Sequence, residues 1–198
     1  MEESSDGKMK GPSQFKPMMV LRDRYGSVEG FCAHFAAFAR FCLQSREVTI
    51  DWSRVTRLVY VCKGNVCRSP FAEALTKTHA IPARSFGIHA TTGTRVDKRA
   101  REVARKFNVD LSGFESRLWT ADEIGPGDLV LCMEPGQCAE VSRDVRAGGG
   151  QLTLLGLYNK RQRPYIHDPY GMSDAYFIRC FERIAEAVEG LRKNYQYR

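Results

Sequence analysis

The segment that decides the fold is LVYVCKGNVCRSPFAEAL, residues 58–75. An apolar run ends at Cys62, five loop residues follow, and Arg68 opens a stretch of helix-forming residues. This order predicts a strand, a loop and a helix. Because a loop at a helix N-terminus turns several backbone N–H groups toward one point, it suits an anion such as a phosphate. The segment therefore predicts an anion-binding loop.

Two side chains of this loop carry the predicted chemistry. Arg68 has a planar guanidinium that can hold two oxygens of a phosphate at once. Cys62 stands at the start of the loop, where the positive surroundings that bind an anion also favour a thiolate over a thiol. A thiolate beneath a bound phosphorus is a nucleophile, so the pair predicts covalent attack on a phosphate ester.

The neighbouring residues narrow this interpretation. A Cys-x5-Arg spacing alone arises often by chance, and a buried cysteine is usually only a small apolar residue. Here the loop contains Gly64, and Asn65 is suited to a left-handed turn. Ser69 and Pro70 are predicted as the N-cap and the first residue of the helix. Together these residues favour an anion loop over a chance match.

From Arg57 onward, predicted strands and helices alternate. The strands are expected at 58–61, 85–90, 129–133 and 151–155, and the helices at 70–79, 98–107, 137–146 and 173–195. Alternation of this kind implies an α/β fold, with a parallel sheet covered on both faces and right-handed crossovers. In such sheets ligands bind beyond the C-terminal ends of the strands, which is where the anion loop falls.

Residues 1–54 differ in character from residues 55–198 and are predicted to be an N-terminal extension. Residues 1–16 are expected to be disordered. Residues 28–43 are expected to form a helix with an apolar stripe made of Phe31, Phe35, Phe38, Ala39 and Cys42, with Phe41 beside it. Because this stripe is rich in aromatic residues, we expect it to pack on the domain that follows. The alternative is that it contacts a protein partner or a second copy of the chain.

Composition excludes several classes of protein. A chain of 198 residues with 43% hydrophobic residues suits one domain with an appendage. No apolar run approaches the roughly 20 residues of a membrane helix, and the polar N-terminus is not a secretory signal, so a cytoplasmic protein is expected. The seven cysteines do not suggest a disulfide framework, and no zinc-like spacing of Cys or His occurs. We therefore expect no metal and no other cofactor.

The charge of the chain indicates the kind of partner. Almost all of the net charge of +7 lies in residues 55–198, the part that contains the anion loop. Such a field attracts phosphorylated or acidic substrates. Nucleic-acid binding is not expected, because the basic residues are dispersed and no nucleic-acid motif is present.

A second segment, PYIHDPYG at 164–171, offers the acid that ester cleavage needs. The departing alkoxide or phenoxide must be protonated. The segment follows the fourth predicted strand and leads into the last helix, so it lies at the same edge of the sheet as the anion loop. Asp168 is the candidate acid, held by Pro169, which stiffens the loop. Tyr170 is a candidate wall of the pocket, or simply a half-buried loop residue.

The motifs VCKGNVCRSP at 61–70 and DPYG at 168–171 resemble those of the low-molecular-weight protein tyrosine phosphatases. The likeness extends from about Leu58 to the C-terminus and leaves residues 1–54 outside it. It implies a four-stranded parallel sheet flanked by helices. It also implies hydrolysis of protein phosphotyrosine, or of another phosphomonoester such as an aryl phosphate, through a phosphocysteine intermediate.

The resemblance implies a role for each residue of the site. Cys62 would be the nucleophile, and Arg68 would bind the phosphate and stabilise the transition state. Asp168 would act first as general acid and then as base for the hydrolytic water. Cys67 would cap Cys62 as a reversible disulfide under oxidation. The other residues expected to form the substrate site are Lys63, Gly64, Asn65, Val66, Ser69 and Tyr170.

Within that set, Asn65 would brace the loop, and Ser69 would donate a hydrogen bond to Cys62. Thr91 falls where the family usually has a serine that holds Asn65.

Three departures concern the surroundings of the site. The loop after Thr94 is short, so that one wall of the phosphotyrosine slot is missing or is supplied by residues 1–55. Phe114 replaces a supporting histidine, and Lys63 would favour an acidic substrate flank.

Two other functions are weighed against this one. Arsenate reductases share the fold and the cysteine–arginine loop, but they need further cysteines to relay a disulfide outward. Cys132 and Cys138 are the only suitable pair, and Cys132 is expected to be a buried strand residue. A non-catalytic phosphate-binding module would need neither the nucleophile nor the acid that this chain has.

Overall fold

The structure is a computed structural model that describes residues 22–44, without the side chains of Phe38 and residues 40–44, and residues 49–196. The residues predicted to be disordered, 1–16, lie outside this description. The strands are β1 (Arg57–Cys62), β2 (Ala83–Gly87), β3 (Asp128–Cys132) and β4 (Gln151–Leu154). The longer helices are α1 (Val28–Gln44), α2 (Arg68–Lys77), α3 (Lys98–Arg105), α4 (Pro135–Ala147) and α5 (Asp174–Gln196).

The four strands form one parallel sheet in the order β2-β1-β3-β4. The predicted fold class, an α/β fold with a four-stranded parallel sheet flanked by helices, is therefore confirmed. The chain order reverses between β1 and β3, and ligands of open α/β sheets bind in the crevice outside the strand ends at such a point. Cys62 ends β1, and Cys132 ends β3 beside it.

Both faces of the sheet are covered, because successive residues of a strand point to opposite faces. Leu58 and Tyr60 of β1 belong to the core cluster that includes buried residues of α2, α3 and α5. Val59 and Val61 belong to a second cluster with residues of α4. All four side chains are fully buried. An uninterrupted apolar run is what a strand covered on both sides requires, and burial of each such side chain is worth about 1.5–3 kcal/mol.

The last helix, α5, buries apolar residues that recur every three or four positions in the larger core. Its periodic residues are buried, and the ring of Phe181 stacks on that of Phe71 in α2 with 4.2 Å between the ring centroids. This packing fixes the start of α2, and with it the anion loop, relative to the segment that precedes α5.

The extension contains the predicted helix, α1, but two residues of its stripe do not pack as predicted. Phe35 is 51% exposed and Ala39 is exposed, so packing of these two residues in the domain core is wrong. The rings of Tyr25, Phe31 and Phe35 pack on one another instead, with centroids 5.1 Å and 4.7 Å apart for the successive pairs. Phe38, Phe41 and Cys42 have side chains outside the described set.

The buried residues of this segment are small. They are Gly26, Gly30 and Ala37. Small residues allow the backbone of the extension to approach the domain closely, as at Gly26 and Gly30 beside His167. In the part of the chain that the structure describes, no helix is both long enough and apolar enough to cross a membrane.

Candidate active site

The anion loop runs between β1 and α2. Asn65 has a φ of 53°, the left-handed conformation predicted for it. Its fully buried side chain donates from Nδ2 to Ser69 Oγ at 2.8 Å and to Ser85 Oγ at 2.9 Å. Its Oδ1 accepts the backbone N–H of Arg117 at 2.8 Å. A side chain that uses all these groups braces the loop, as the resemblance implies.

Ser85, on β2, was not identified from the sequence as part of this network. Its hydroxyl donates to the buried carboxylate of Glu73 at 2.7 Å, and Arg117 pairs with the same carboxylate at 3.0 Å. A polar residue inside a buried strand was the signal that could have found it. Thr91, which was predicted to hold Asn65, is exposed, and its backbone carbonyl accepts from Ser116 Oγ instead. Ser85 fills that role because β2 lies directly beside β1.

Cys62 lies at the base of the loop and is 2% exposed. Its sulfur accepts the backbone N–H of Asn65 at 3.3 Å and lies 3.0 Å from Ser69 Oγ. These contacts, with the N-terminus of α2 behind them, stabilise negative charge on the sulfur. The predicted contact between Ser69 and Cys62 is present in the structure.

The start of α2 differs by one residue from the prediction. The helix begins at Arg68, and Cys67 occupies the N-cap position without a side-chain capping bond. Ser69 is therefore in the first helical turn, and its assignment as N-cap is wrong. Its hydroxyl forms hydrogen bonds with Cys62 and Asn65, so it orients the sulfur and does not cap the helix.

Arg68 is 1% exposed and joins three parts of the site. Its Nη2 donates to Asp168 Oδ2 at 2.7 Å, while Nη1 donates to the carbonyl of Ile166 at 2.8 Å and to Glu134. Burial alone would lower the pKa of Arg68, but the charges of Asp168 and Glu134 outweigh it and raise the pKa above its ordinary value. Among the described residues, its buried Nε has no hydrogen-bond partner. A buried donor of this kind suits an incoming anion.

Glu134 is a residue of the site that the sequence interpretation missed. It follows β3 directly, so it reaches the same crevice as the anion loop, and its carboxylate is about a quarter exposed. The chain contains no local pattern that pairs residue 134 with residue 68. Only the neighbouring positions of β1 and β3 in the sheet bring the two together.

Asp168 and the anion loop meet as predicted from the order of the strands. One carboxylate oxygen of Asp168 accepts from Arg68, and the other accepts the backbone N–H of Tyr170 at 3.2 Å. Its side chain remains about one third exposed. The carboxyl group is thus oriented by two donors while it still faces the opening of the site.

One cavity of about 310 Å³ contains these groups. It is lined by Cys62, Lys63, Gly64, Val66, Cys67, Arg68, His89, Asp168 and Tyr170. All the predicted site residues therefore line it, except Asn65 and Ser69, which support the loop from below. His89, from the loop after β2, was not predicted. No described residue of the extension lines the cavity, so the described part of residues 1–55 does not supply the missing wall.

The second cysteine of the loop, Cys67, has a different environment from that of Cys62. It is 3% exposed, and burial raises the pKa of its thiol far above the ordinary value, with the charges of Asp168 and Asp97 adding to the effect. Cys67 is therefore a neutral thiol at neutral pH. All six cysteines with described side chains are free.

The site thus combines a strand that ends in a buried cysteine, a loop of backbone donors, and an arginine paired with a carboxylate. The model of the low molecular weight phosphotyrosine protein phosphatases matches residues 57–197, and the chain belongs to this family. It is a protein-tyrosine phosphatase whose reaction passes through a phosphocysteine intermediate.

The chain is similar to two named tyrosine phosphatases and, in fold, to an arginine phosphatase. The chain is 34% identical over 143 residues to the probable low molecular weight protein-tyrosine-phosphatase AmsI of Erwinia amylovora, covering 71% of this chain and 92% of AmsI. A crystal structure of the tyrosine phosphatase Wzb of Escherichia coli K30 with sulphate superimposes with a TM-score of 0.64 at 28% identity, covering 70% and 97% of the two chains. A structure of a YwlE arginine phosphatase variant with a phosphorylated active-site serine superimposes with a TM-score of 0.64 at 25% identity. The match covers 71% of this chain and 95% of the YwlE chain.

Proposed function

We propose that Cys62, Arg68 and Asp168 carry out the hydrolysis, with Cys62 as nucleophile. The observation that supports this most is that the cavity of about 310 Å³ is lined by all three side chains. Cys62 is the sulfur that accepts hydrogen bonds from the loop, while Cys67 is a neutral thiol. The two cysteines of the motif are thus assigned to different roles by their surroundings.

In the first step, the thiolate of Cys62 attacks phosphorus, and a P–S bond forms as the P–O ester bond breaks. Arg68 and the backbone N–H groups of the loop hold the remaining phosphate oxygens and stabilise the charge that develops on them. Asp168, in its protonated form, donates its proton to the departing oxygen. The products of this step are a free alcohol or phenol and a phosphocysteine.

In the second step, water attacks the phosphocysteine and the carboxylate of Asp168 takes a proton from it. The P–S bond breaks, the thiolate of Cys62 is restored, and inorganic phosphate leaves. The same carboxyl group thus serves as acid and then as base. Its position on the exposed side of the cavity, one third accessible, gives it access to both the leaving group and water.

Binding of substrate requires an exchange at Arg68. Before binding, Nη2 of Arg68 is paired with Asp168, and Nη1 with Glu134. When phosphate oxygens occupy the guanidinium, Asp168 gives up this hydrogen bond and its carboxyl group is free to face the leaving group. Substrate binding therefore releases Asp168 from Arg68.

The rim of the cavity supports a preference for aromatic phosphate esters with an acidic flank. Tyr170 is 64% exposed and offers one aromatic wall. Lys63 is exposed on the rim, and His89 lies beside it. We propose a phosphotyrosine segment of a protein as substrate, with Asp or Glu near the phosphotyrosine.

The experiment that tests this measures kcat/KM of the reduced chain with phosphotyrosine peptides that differ only in acidic or basic flanks, and with a phosphoarginine peptide. We expect the acidic phosphotyrosine peptide to be hydrolysed fastest, and Lys63→Gln to reduce the difference between flanks. A phosphate adduct on Cys62 should be trapped during turnover. Faster cleavage of phosphoarginine would contradict the substrate class while leaving the nucleophile assignment intact.

The arsenate reductase alternative gains no support from the two further cysteines. Cys132 is fully buried on β3, and burial raises the pKa of its thiol well above the ordinary value. A disulfide relay would have to pass through this thiol. Disulfide formation between Cys62 and Cys67 under peroxide stays a prediction, as does a phosphate-binding role without catalysis.

We also propose that the protein acts in the cytoplasm. A catalytic thiolate and six free cysteines suit a reducing compartment. Contact with a protein partner or a second copy through residues 28–43 stays a prediction, and the side chains of Val28 and Phe35 are more than half exposed there.

A further inference from the structure

The first described residues of the extension lie against the loop that carries Asp168. Gly26 has a φ of +83°, and a Cβ added there would lie 2.8 Å from Cδ2 of His167 and 2.9 Å from Cε1 of Tyr176. A Cβ added to Gly30 would lie 2.9 Å from the same carbon of His167. Since real Cβ atoms do not approach so closely, the backbone at both glycines touches the His167 ring directly.

A serine between the two glycines adds a polar contact with the same ring. Ser27 Oγ accepts the backbone N–H of Gly30 at 2.9 Å and lies 3.4 Å from Nε2 of His167. Because the hydroxyl already accepts from Gly30, its own hydrogen is available for Nε2. The other ring nitrogen, Nδ1, lies 3.2 Å from the hydroxyl of Tyr165. This arrangement fits a neutral His167 with its hydrogen on Nδ1.

Two further hydrogen bonds fasten the segment to α5 and to the residue before that helix. Ser173 Oγ donates to Asp23 Oδ1 at 3.0 Å, and Arg183 of α5 donates to the backbone carbonyl of Arg24 at 2.6 Å. The segment 22–31 is thus attached to α5 and to the residues just before it, and it covers His167 from outside.

The contacts of His167 bear directly on the acid, because Asp168 is the next residue. The carbonyl of His167 accepts from the hydroxyl of Tyr176 at 3.3 Å, and its ring contacts the extension. Pro169, the residue after Asp168, is buried, and beyond it the loop is open: Tyr170 is 64% exposed, and a Cβ on Gly171 would meet nothing within 4 Å. The described contacts of the extension that lie nearest to Asp168 along the chain are therefore those with His167.

We propose that residues 22–31 are a positioning element for the general acid, which act by holding the ring of His167 and so fixing the peptide that carries Asp168. His167 is then a positioning residue, and neither it nor residues 22–31 line the cavity. The inference rests on the proposed function of Asp168 as the acid. It predicts that a change in the extension alters protonation of the leaving group without altering phosphate binding.

The test uses the full chain with Gly26→Ala, and Gly149→Ala as a matched control. Gly149 has a similar φ of +74°, but a Cβ there would make only ordinary contacts of 3.6 Å with Pro126. kcat/KM, which reports only the first step, is measured with phenyl phosphate, whose leaving group needs a proton, and with 2,4-dinitrophenyl phosphate, whose leaving group does not. Gly26→Ala should lower kcat/KM for phenyl phosphate by roughly 10- to 10²-fold, since small misplacement of a catalytic group has effects of this size. kcat/KM for the second substrate and inhibition by inorganic phosphate should change little.

Equal losses on both substrates, or no loss on either, would overturn the proposal, as would the same change of ratio in Gly149→Ala. In an Asp168→Asn background, Gly26→Ala should not change further the ratio of the values for the two esters. Both substitutions act through the carboxyl group of Asp168. Should Gly26→Ala not fold, Ser27→Ala carries the same two-substrate test with a smaller loss, and an unchanged ratio there overturns the proposal. If Asp168→Asn alone leaves the ratio unchanged, the acid assignment itself fails and this inference with it.

Discussion

The two loops that meet at the active site are held in place in different ways. The anion loop is braced from within the family domain, by the fully buried Asn65 and its bonds to Ser69, Ser85 and Arg117. The acid loop is held on its outer side by residues 22–31, which precede the family match at 57–197. The part that binds phosphate is therefore self-contained. In our proposal, the part that protonates the leaving group depends on a segment outside the residues that match the family model.

The largest effect should come from Cys62→Ser, which tests whether the anion loop stands without its nucleophile. Turnover should fall to background, because a serine hydroxyl is a far weaker nucleophile than a thiolate. Binding of inorganic phosphate, measured by calorimetry, should persist, since Arg68 and the loop N–H groups remain. Retained turnover would contradict the nucleophile assignment. Lost phosphate binding would show that the loop is not self-contained.

Asp168→Asn separates the functions of the two loops. kcat for an ester with a poor leaving group should fall by about 10²–10⁴-fold, the range for loss of a general acid, with a smaller loss for good leaving groups. Phosphate binding should stay close to that of the unaltered protein. A loss that is uniform across leaving groups would mean that Asp168 supports the structure and does not transfer protons.

Ser85→Ala tests the brace of the anion loop. It removes one acceptor from Asn65 Nδ2 and one donor from the buried Glu73, so the free energy of unfolding should fall by about 1–3 kcal/mol. Thr91→Ala is the matched control, since the exposed Thr91 takes part through its backbone carbonyl, which alanine retains. Denaturant unfolding measures both. If Thr91→Ala is the more destabilising, the network is not the one described here.

The smallest effect concerns pH and the acid loop. Burial, together with the charge of Arg68, lowers the pKa of His167 from its ordinary 6.5. A group with a lower pKa in the docked state binds protons more readily when released, so docking of residues 22–31 should weaken as pH falls below about 6.5. The charged and titratable groups around this ring are Glu29, Arg68, Glu134, Tyr165, Asp168 and Tyr176.

Hydrogen exchange of residues 22–31 between pH 7.5 and 5.5 measures this weakening. Burial lowers the pKa of His34 as well, so that residue contributes in the same direction. In His167→Gln, hydrogen exchange of residues 22–31 should therefore depend less on pH than in the unaltered protein, but some dependence should remain. Exchange that is slower at the lower pH, after correction for the intrinsic rate, would contradict the sign of the effect.

Much of the fold and the site could be predicted because the relevant signals are local. The apolar run at 58–61 indicates a strand covered on both faces, and the loop and helix that follow place Cys62 and Arg68 at one end of it. Asp168 could be added because parallel strands bring their C-terminal ends to one edge. The left-handed Asn65 follows from the tolerance of asparagine for that conformation.

What the sequence could not predict depends on contacts between distant segments. Glu134 reaches Arg68 because β3 lies beside β1, and His89 reaches the cavity from the loop after β2. Neither residue belongs to a local motif. The extension was expected to pack through its aromatic stripe, but two of its close described contacts with the domain are made by glycines, whose lack of a side chain leaves no hydrophobic signal.

The two carboxylates around Arg68 also bear on the end of the catalytic cycle. Inorganic phosphate departs most readily when the guanidinium finds other counter-ions, and Glu134 and Asp168 are fixed within reach of it. Both carboxylates compete with phosphate for the N–H groups of Arg68. A site that binds the transition state tightly can therefore still release inorganic phosphate. The ion pairs that Arg68 makes in the absence of substrate thus favour release of the product.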